Sequence, residues 1–333
     1  MTDTSSLTQW LQTRHCAWNT PTSVIQEYVR KATGQSIAHA SRLILGQDNE
    51  VHDVVTTGDE RLIVRISHKE NHRFEAERWA LHAAHQAGVP TPRVFLVEQA
   101  SYDDTTVMFC IEEKLPGKSL DMLLQEGAAP NHAIDQIGEV LGRLHSVKVE
   151  GFGFLRPDGT GSLASFADVM LELNGRVLEL EVAAKRWGVP ASTVATSLDI
   201  LNAHSDLYAF SPAALIHGDF GPQHILVDGD HISGLVDMQD CSGNHPIIDL
   251  VNWDAYYSEQ IPLSRVRASY GNPRLFQENF DTLFQLALLR ESLIMLMVNA
   301  QRENPNGIHG FIINMERALS SFGHMSKKVM QKG

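Results

Sequence analysis

Residues 215–237 read LIHGDFGPQHILVDGDHISGLVD, and the reading of the whole chain turns on them. An apolar run delivers His217-Gly218-Asp219 to the end of a strand or its turn, and the loop Phe220-Gly221-Pro222-Gln223 follows. Two short alternating runs, 224–227 and 232–236, flank Asp228-Gly229-Asp230, and an Asp-Gly between apolar alternations is a hairpin signal. The second run ends on Asp237. One loop–hairpin unit therefore carries two carboxylates, Asp219 and Asp237, and two imidazoles, His217 and His224, at its open end. A carboxylate beside the small Gly218 can approach a substrate hydroxyl and accept its proton. A hard carboxylate oxygen where the hairpin returns is what Mg²⁺ binds, usually alongside substrate phosphates. Taken singly, each residue also has a plain structural reading: Asp219 as a turn cap, Asp237 as a strand-terminal Asp, His224 as a packed imidazole. Their convergence on one unit favours the chemical reading, with His217 as a brace for the loop.

A chain of 333 residues is long enough for two domains and a large core. Its 43% apolar and 20% charged content is that of an ordinary soluble globular protein. Twenty-seven Lys and Arg against 40 Asp and Glu leave a net charge of −13, which argues against nucleic acid as a partner and is compatible with a cationic small molecule. Cys16, Cys110 and Cys241 lie far apart and form no CxxC pair, so neither a disulfide framework nor a zinc site is expected, and a reducing compartment fits. The N-terminus lacks the apolar core of a signal peptide and no apolar run approaches the roughly 18 residues of a membrane span. A cytoplasmic protein without membrane contact is expected, and composition leaves the oligomeric state unknown.

Outward from the central unit, apolar periodicity predicts short helices over 6–14 and 22–31, the second capped by Thr22 or Ser23. Strands are expected over 41–45, 51–57, 61–67, 94–98 and 106–112, with a helix over 70–87 that ends at Gly88. Leu115-Pro116-Gly117 marks a hinge. Helices are then expected over 119–125, 132–146, 164–186, 191–204, 248–257, 274–302 and 311–331. The layout is α+β. Residues 1–113 form a smaller lobe with a five-stranded, mainly antiparallel sheet and one internal helix, and residues 114–333 form a larger, mostly helical lobe that carries the short catalytic hairpin. Ligand sites favour such lobe interfaces.

The order His217-Gly218-Asp219, then His224-Ile225-Leu226, then a hairpin closing on Val236-Asp237, then Asp249-Leu250, resembles the aminoglycoside phosphotransferase family of kinase-like enzymes. The resemblance spans residues 40–257. It implies a two-lobed protein-kinase-like fold that transfers the γ-phosphate of ATP or GTP to a hydroxyl of a small acceptor. It implies Asp219 as catalytic base, Asp237 as ligand of Mg²⁺, and Asp249, like His217, as a brace for the catalytic loop. His224 stands where the family has an Asn ligand; imidazole is softer than an amide oxygen and suits Mn²⁺ as well, and Gln223 is the alternative ligand. Gly46-Gln47-Asp48-Asn49 sits where the family covers the nucleotide, with Gly46 and Asn49 as the contacts. Arg65 sits where kinases keep a phosphate-pairing Lys, and Glu77 is similar to the glutamate that pairs with that base. Ile111, Glu112 and Glu113 resemble the segment whose backbone holds the purine edge.

The acceptor stays open. A His after the HGD loop is similar to the macrolide-phosphorylating branch, whereas His217-Gly218-Asp219-Phe220-Gly221 is similar to the hygromycin-phosphorylating branch. An aminoglycoside, and with it antibiotic resistance, is the leading expectation. A macrolide or a metabolite alcohol such as choline, homoserine or a sugar is the alternative. Asp240, Asp254 and Glu259 are candidate amine-binding acids, and Trp253, Tyr256 and Tyr257 a candidate stacking wall. A catalytically idle kinase homologue acting as a nucleotide-binding regulatory module is the rival class. A metal-dependent hydrolase leaves Arg65, Glu77 and the hinge unexplained. The absence of a Walker A loop and of a complete GxGxxG rules out P-loop and Rossmann readings.

Overall fold

The strand Arg61–Ser67 turns Leu62, Val64 and Ile66 to one face and Arg65 to the other, is buried along most of its length, and stands at the centre of the N-terminal sheet. The computed structural model describes residues 18–44, 48–304 and 307–330, with side chains as far as residue 323. The expected helix over 6–14 and Gly46 lie outside the described residues. Helix α1 (Thr22–Thr33) is followed by β1 (Ile37–Leu43), β2 (Glu50–Thr56), β3 (Arg61–Ser67), α2 (Phe74–Gln86), β4 (Val94–Tyr102) and β5 (Thr105–Glu113). The five strands form an antiparallel sheet in the order β1-β2-β3-β5-β4.

β4 outruns its expected length because Asp103 and Asp104, both at positive φ, make a two-residue turn that lets pairing run from Tyr102 to Thr105. α1 has Pro21 at its N-cap, with no side-chain cap, so Thr22 and Ser23 lie inside the helix instead of capping it. α2 starts at Phe74, later than expected, because Lys69 to Arg73 form the polar wall of the interlobe cleft.

The small lobe's core packs α1 (Ile25, Val29) against Val54, Leu62, Val64, Ile66, Phe109 and Ile111, with Tyr28 stacked on Phe109. The buried face of α2 does not join it. Ala76, Ala80, Leu81 and Ala84 belong to the large lobe's core, Trp79 lies against Gly159, and Arg73 donates to the Cys241 carbonyl at 2.8 Å. Although α2 lies at a residue number below 113, its packing belongs to the second lobe.

The large lobe departs from a purely helical layout. It comprises β6 (Lys118–Ser119), α3 (Leu120–Gln125), α4 (Asn131–Ser146), β7 (Lys148–Val149), β8 (Phe152–Leu155), β9 (Gly161–Leu163), α5 (Phe166–Leu171), α6 (Val177–Arg186) and α7 (Ala191–Ala203), then β10 (Ala213–Ile216), β11 (Ile225–Asp228), β12 (His231–Leu235), β13 (Ser242–Asn244), α8 (Ile247–Tyr257), α9 (Leu263–Ser269), α10 (Phe280–Gln301) and α11 (Ile308–Met330). Two further sheets run β7-β10-β13-β8-β9 and β12-β11-β6. Their strands are two to five residues long, too short for an alternation signal.

The helix expected over 164–186 breaks at a 3₁₀ turn, Glu172–Arg176, where Asn174-Gly175 weakens the helix and Asn174 bonds Asn202 instead. The one expected over 274–302 begins only at Phe280, after Asn279 in a left-handed conformation. α10 is long and apolar enough to cross a membrane, the one such helix among the described residues, but 67% of its apolar window is buried inside the fold as core.

Candidate active site

β10 sets the apolar run Ala213–Ile216 between β7 and β13, fully buried, and ends where His217 begins. The turn that follows is held from below by one carboxylate. Asp249, near the start of α8 and fully buried, accepts the His217 N–H at 2.8 Å and the Gly218 N–H at 2.9 Å. Its Oδ2 also faces His145 Nε2 at 3.0 Å, and the Tyr270 hydroxyl lies 2.7 Å from His145 Nδ1. Gly218 sits at φ +89°, and a Cβ there would fall 2.0 Å from the Asp240 carbonyl, so only glycine fits. Asn252 Nδ2 donates to the Gly218 carbonyl at 2.9 Å. His217 donates from Nε2 to the Val236 carbonyl at 3.0 Å and accepts the Asp219 N–H at Nδ1. Burial and the neighbouring His224 hold its pKa down. The loop is thereby pinned to the hairpin that returns Asp237.

The hairpin β11–β12 pairs as the sequence implies, with Gly229 at positive φ in its turn and Val236 N–H donating to the His224 carbonyl. At its open end His224 stands between the two carboxylates. Nε2 lies 3.1 Å from Asp219 Oδ2, and Nδ1 lies 3.9 Å from Asp237 Oδ2. Desolvation is the largest single influence and opposes charge on both members of the first pair, but the bond and the neighbouring charges together outweigh it: Asp219 is held below the usual carboxylate range and His224 is raised above the usual imidazole value. Asp237 sits in a left-handed conformation (φ +61°), with its carboxylate half exposed to the cleft and Met238 buried behind it. Gln223 turns towards Tyr257.

Across the cleft, Arg65 is buried and surrounded by acids. Nη2 donates to Glu77 at 2.7 Å and to Glu112 at 3.0 Å, and Nη1 to Asp237 at 3.4 Å. Three carboxylates sharing one guanidinium repel one another. Burial, more than Arg65 can offset, pushes Glu77 up to about 7 and Glu112 upward as well. Glu77 Oε1 and Arg65 Nε are buried without a hydrogen-bond partner.

The side chain of Glu112 thus belongs to the Arg65 cluster, a role that sequence reasoning missed. The register shows why it falls there: Arg65 pairs with Cys110, so Glu112 lies diagonally opposite on the same face. Ile111 and Glu112 lie in register with both neighbouring strands, and Glu113 N–H donates to the Arg93 carbonyl. Asn49 is buried beside the cleft, next to Asp48.

The cleft between the lobes measures about 500 Å³ and is lined by Asp48, Arg65, Lys69, Asp219, Asp237 and Arg302, among others. Among the described residues no three His, Cys, Asp or Glu side chains converge as a preformed metal cage. A half-exposed Asp237 fits Mg²⁺, which is usually bound through one or two carboxylates plus substrate phosphates.

On the far side of Asp219 the acceptor candidates separate. Asp254 is engaged by Arg317 at 2.8 Å, and Trp253 is core, its Nε1 bonded to the Ile261 carbonyl. Tyr257 packs against Gly221, and Tyr256 stands edge-on to Phe311. Glu291, an acid within the apolar α10, was not singled out by the sequence reading; burial and then, among nearby charges, Asp219 and Asp240 raise its pKa. An acid next to Arg290, midway along a largely apolar 22-residue helix, was the available signal.

The model of the phosphotransferase enzyme family (APH) matches residues 39–273. A crystal structure of a thermostable mutant of aminoglycoside phosphotransferase APH(4)-Ia, in ternary complex with ADP and hygromycin B, superposes with TM-score 0.72 at 16% identity, over 89% of this chain and 98% of that one. A putative fructosamine-3-kinase from Thermobifida fusca gives TM-score 0.65 at 20% identity, over 90% and 98% of the two chains. APH(2")-IIIa, in a complex with GDP and kanamycin, gives TM-score 0.56 at 18% identity, over 89% and 99%. These likenesses show a kinase-like fold. Among curated proteins, none matches.

Proposed function

Because the chain belongs to the phosphotransferase enzyme family, we propose that it moves the γ-phosphate of ATP or GTP onto a hydroxyl of a small, aminoglycoside-like acceptor. The observation that carries this reading is the Asp219–His224–Asp237 row at the open end of one hairpin, facing Arg65 across a cleft of about 500 Å³. The acceptor oxygen forms a bond to the γ-phosphorus and its proton passes to Asp219. The bond from that phosphorus to the β–γ bridging oxygen breaks, and the nucleoside diphosphate leaves with the electron pair. Little covalent chemistry falls to the protein, so the rate rests on positioning and on charge compensation.

Asp237 would hold a divalent ion together with the donor phosphates, and that ion would offset charge on them. His224 is engaged with Asp219 and is proposed as the partner of the base rather than as a metal ligand. Arg65, held by Glu77 and Glu112, would reach the donor through its cleft edge. Asn49 would lie under the donor phosphates, and the purine edge would lie at the end of β5, past Glu113. A cationic acceptor is supported by Glu291 and Asp240, which lie within electrostatic reach of Asp219, and by the net charge of −13. The hygromycin B and kanamycin complexes of fold relatives point the same way.

The test is a phosphorylation screen with ATP and GTP over aminoglycosides, macrolides, choline, homoserine and sugars. A phosphorylated aminoglycoside is the expected product. Donor binding without product from any acceptor would instead favour the idle regulatory homologue.

A further inference from the structure

Asp48 lies just before β2, in the segment proposed to cover the donor, and two cations hold it. Lys69, which follows β3 in its own lobe, pairs with Oδ1, and Arg302, from the other lobe, lies 3.7 Å from Oδ2. Arg302 stands immediately after α10, whose Leu286, Ala287, Leu289, Leu293 and Leu296 are fully buried, and its N–H caps the helix by donating to the Val298 carbonyl at 2.9 Å. A guanidinium carried on so firmly packed a helix has a fixed base and a long, movable arm. Its charge is close enough to act on Asp219 as well. Arg302 therefore lines the same cleft as the proposed base and lies within electrostatic reach of both Asp48 and Asp219.

Among the described residues, three other cations face this space, and each is engaged within its own surroundings: Lys69 pairs with Asp48, and Arg73 donates to the Cys241 carbonyl. Arg65 is shared among Glu77, Glu112 and Asp237, so its guanidinium is already committed to three acids before any phosphate arrives. A transferring phosphoryl spreads negative charge over its equatorial oxygens and is stabilised by cations already in position.

We propose that Asp48 occupies, in the empty enzyme, the place of a donor phosphate oxygen, and that Arg302 leaves it for the terminal phosphate when the nucleotide binds. Arg302 then acts as a charge-stabilising arm supplied by the acceptor lobe. It forms no bond to phosphorus and takes no proton; the bonds made and broken are those of the transfer described above. Asp48 competes with the donor for the same guanidinium, so the two residues have opposite effects on the reaction. The inference rests on the phosphotransferase reading.

The experiment compares wild type with Arg302→Ala, Arg302→Lys and Asp48→Asn, measuring donor binding with a fluorescent nucleotide and turnover with the acceptor found by the screen, or with water. Arg302→Ala is expected to lower kcat by about 10- to 10³-fold, with partial recovery in Arg302→Lys. Asp48→Asn is expected to tighten donor binding by about two- to fivefold. If Arg302→Ala and Asp48→Asn impair the enzyme equally, the contact is only a strap between the lobes and the inference fails. A wild type that binds and turns over nucleotide, with Arg302→Ala indistinguishable from it, overturns the inference alone. A wild type that does neither overturns the phosphotransferase reading, and the inference falls with it.

Discussion

His224 Nε2 sits 3.1 Å from Asp219 Oδ2, while the opposite nitrogen of the same ring faces Asp237 at 3.9 Å. One imidazole therefore spans the proposed base and the proposed metal ligand. Its charge helps to keep Asp219 ionised, so replacing it by Asn should raise the Asp219 pKa. The acid limb of the pH–rate profile is expected to move to higher pH in His224→Asn, because activity is lost once the base is protonated. An unmoved limb would separate His224 from the base. The ratio of Mn²⁺- to Mg²⁺-supported rates should be the same in both proteins; a changed ratio would make His224 a ligand.

Arg65 is the shared cation of a buried cluster. Removing it leaves Glu77 and Glu112 buried without their cation, and Arg65→Ala should cost about 3–5 kcal/mol, the usual penalty for breaking a buried pair. Urea unfolding monitored by circular dichroism checks this. The loss should shrink as pH falls, since Glu77, with a pKa near 7, takes up a proton and no longer needs the guanidinium.

Asp249 carries the backbone of the catalytic turn. In Asp249→Ala two buried N–H groups and His145 lose their acceptor. The expected cost is about 3 kcal/mol or more, with turnover falling further than stability because Asp219 is no longer positioned. Asp249→Asn, which keeps one acceptor oxygen, should fall between Ala and wild type in both assays.

Glu50 opens β2 and is 1% exposed, close to His52 and His68 at 3.0 Å each and to Thr20. Burial pushes its carboxyl up, but these bonds outweigh it and hold the pKa well below the ordinary 4.5. A depressed acid contributes stability above its ordinary pKa and loses it as pH falls below 4.5. Glu50→Gln is expected to lower stability at pH 7 by about 2 kcal/mol and to flatten the acid side of the stability–pH curve. Thermal unfolding between pH 3 and 7 measures both, and parallel curves would sink the assignment.

Much of the site was legible because it is local. His217, Asp219, His224 and Asp237 fall within one hairpin, and Asp249 within one turn of the next helix, so spacing alone brings them together. The five-stranded sheet was legible from its short apolar runs and from the turn residues between them, Gly58-Asp59 and Asp103-Asp104, which mark chain reversals wherever the partners lie. What escaped depends on distant pairing. The strand Lys148–Val149 exists because Ala213–Ile216 lies beside it, and Ser242–Asn244 because it lies between Ala213–Ile216 and Phe152–Leu155. Glu112 joins Arg65 through strand register, Arg302 reaches Asp48 across the whole fold, and Trp253 is core because Ile261 turns back to accept its indole N–H. None of these leaves a periodicity in the sequence.

Helix α2 packs into the large lobe's core, whereas β3, which carries Arg65, belongs to the small lobe's sheet. The Arg65–Glu77 pair is thus a fastening between two separately packed bodies. The sheet can swing away from the cleft only by parting a guanidinium and a carboxylate where water does not reach. The consequence is kinetic: wide opening of the cleft should be a rare event, and spent nucleotide should leave without the lobes gaping apart.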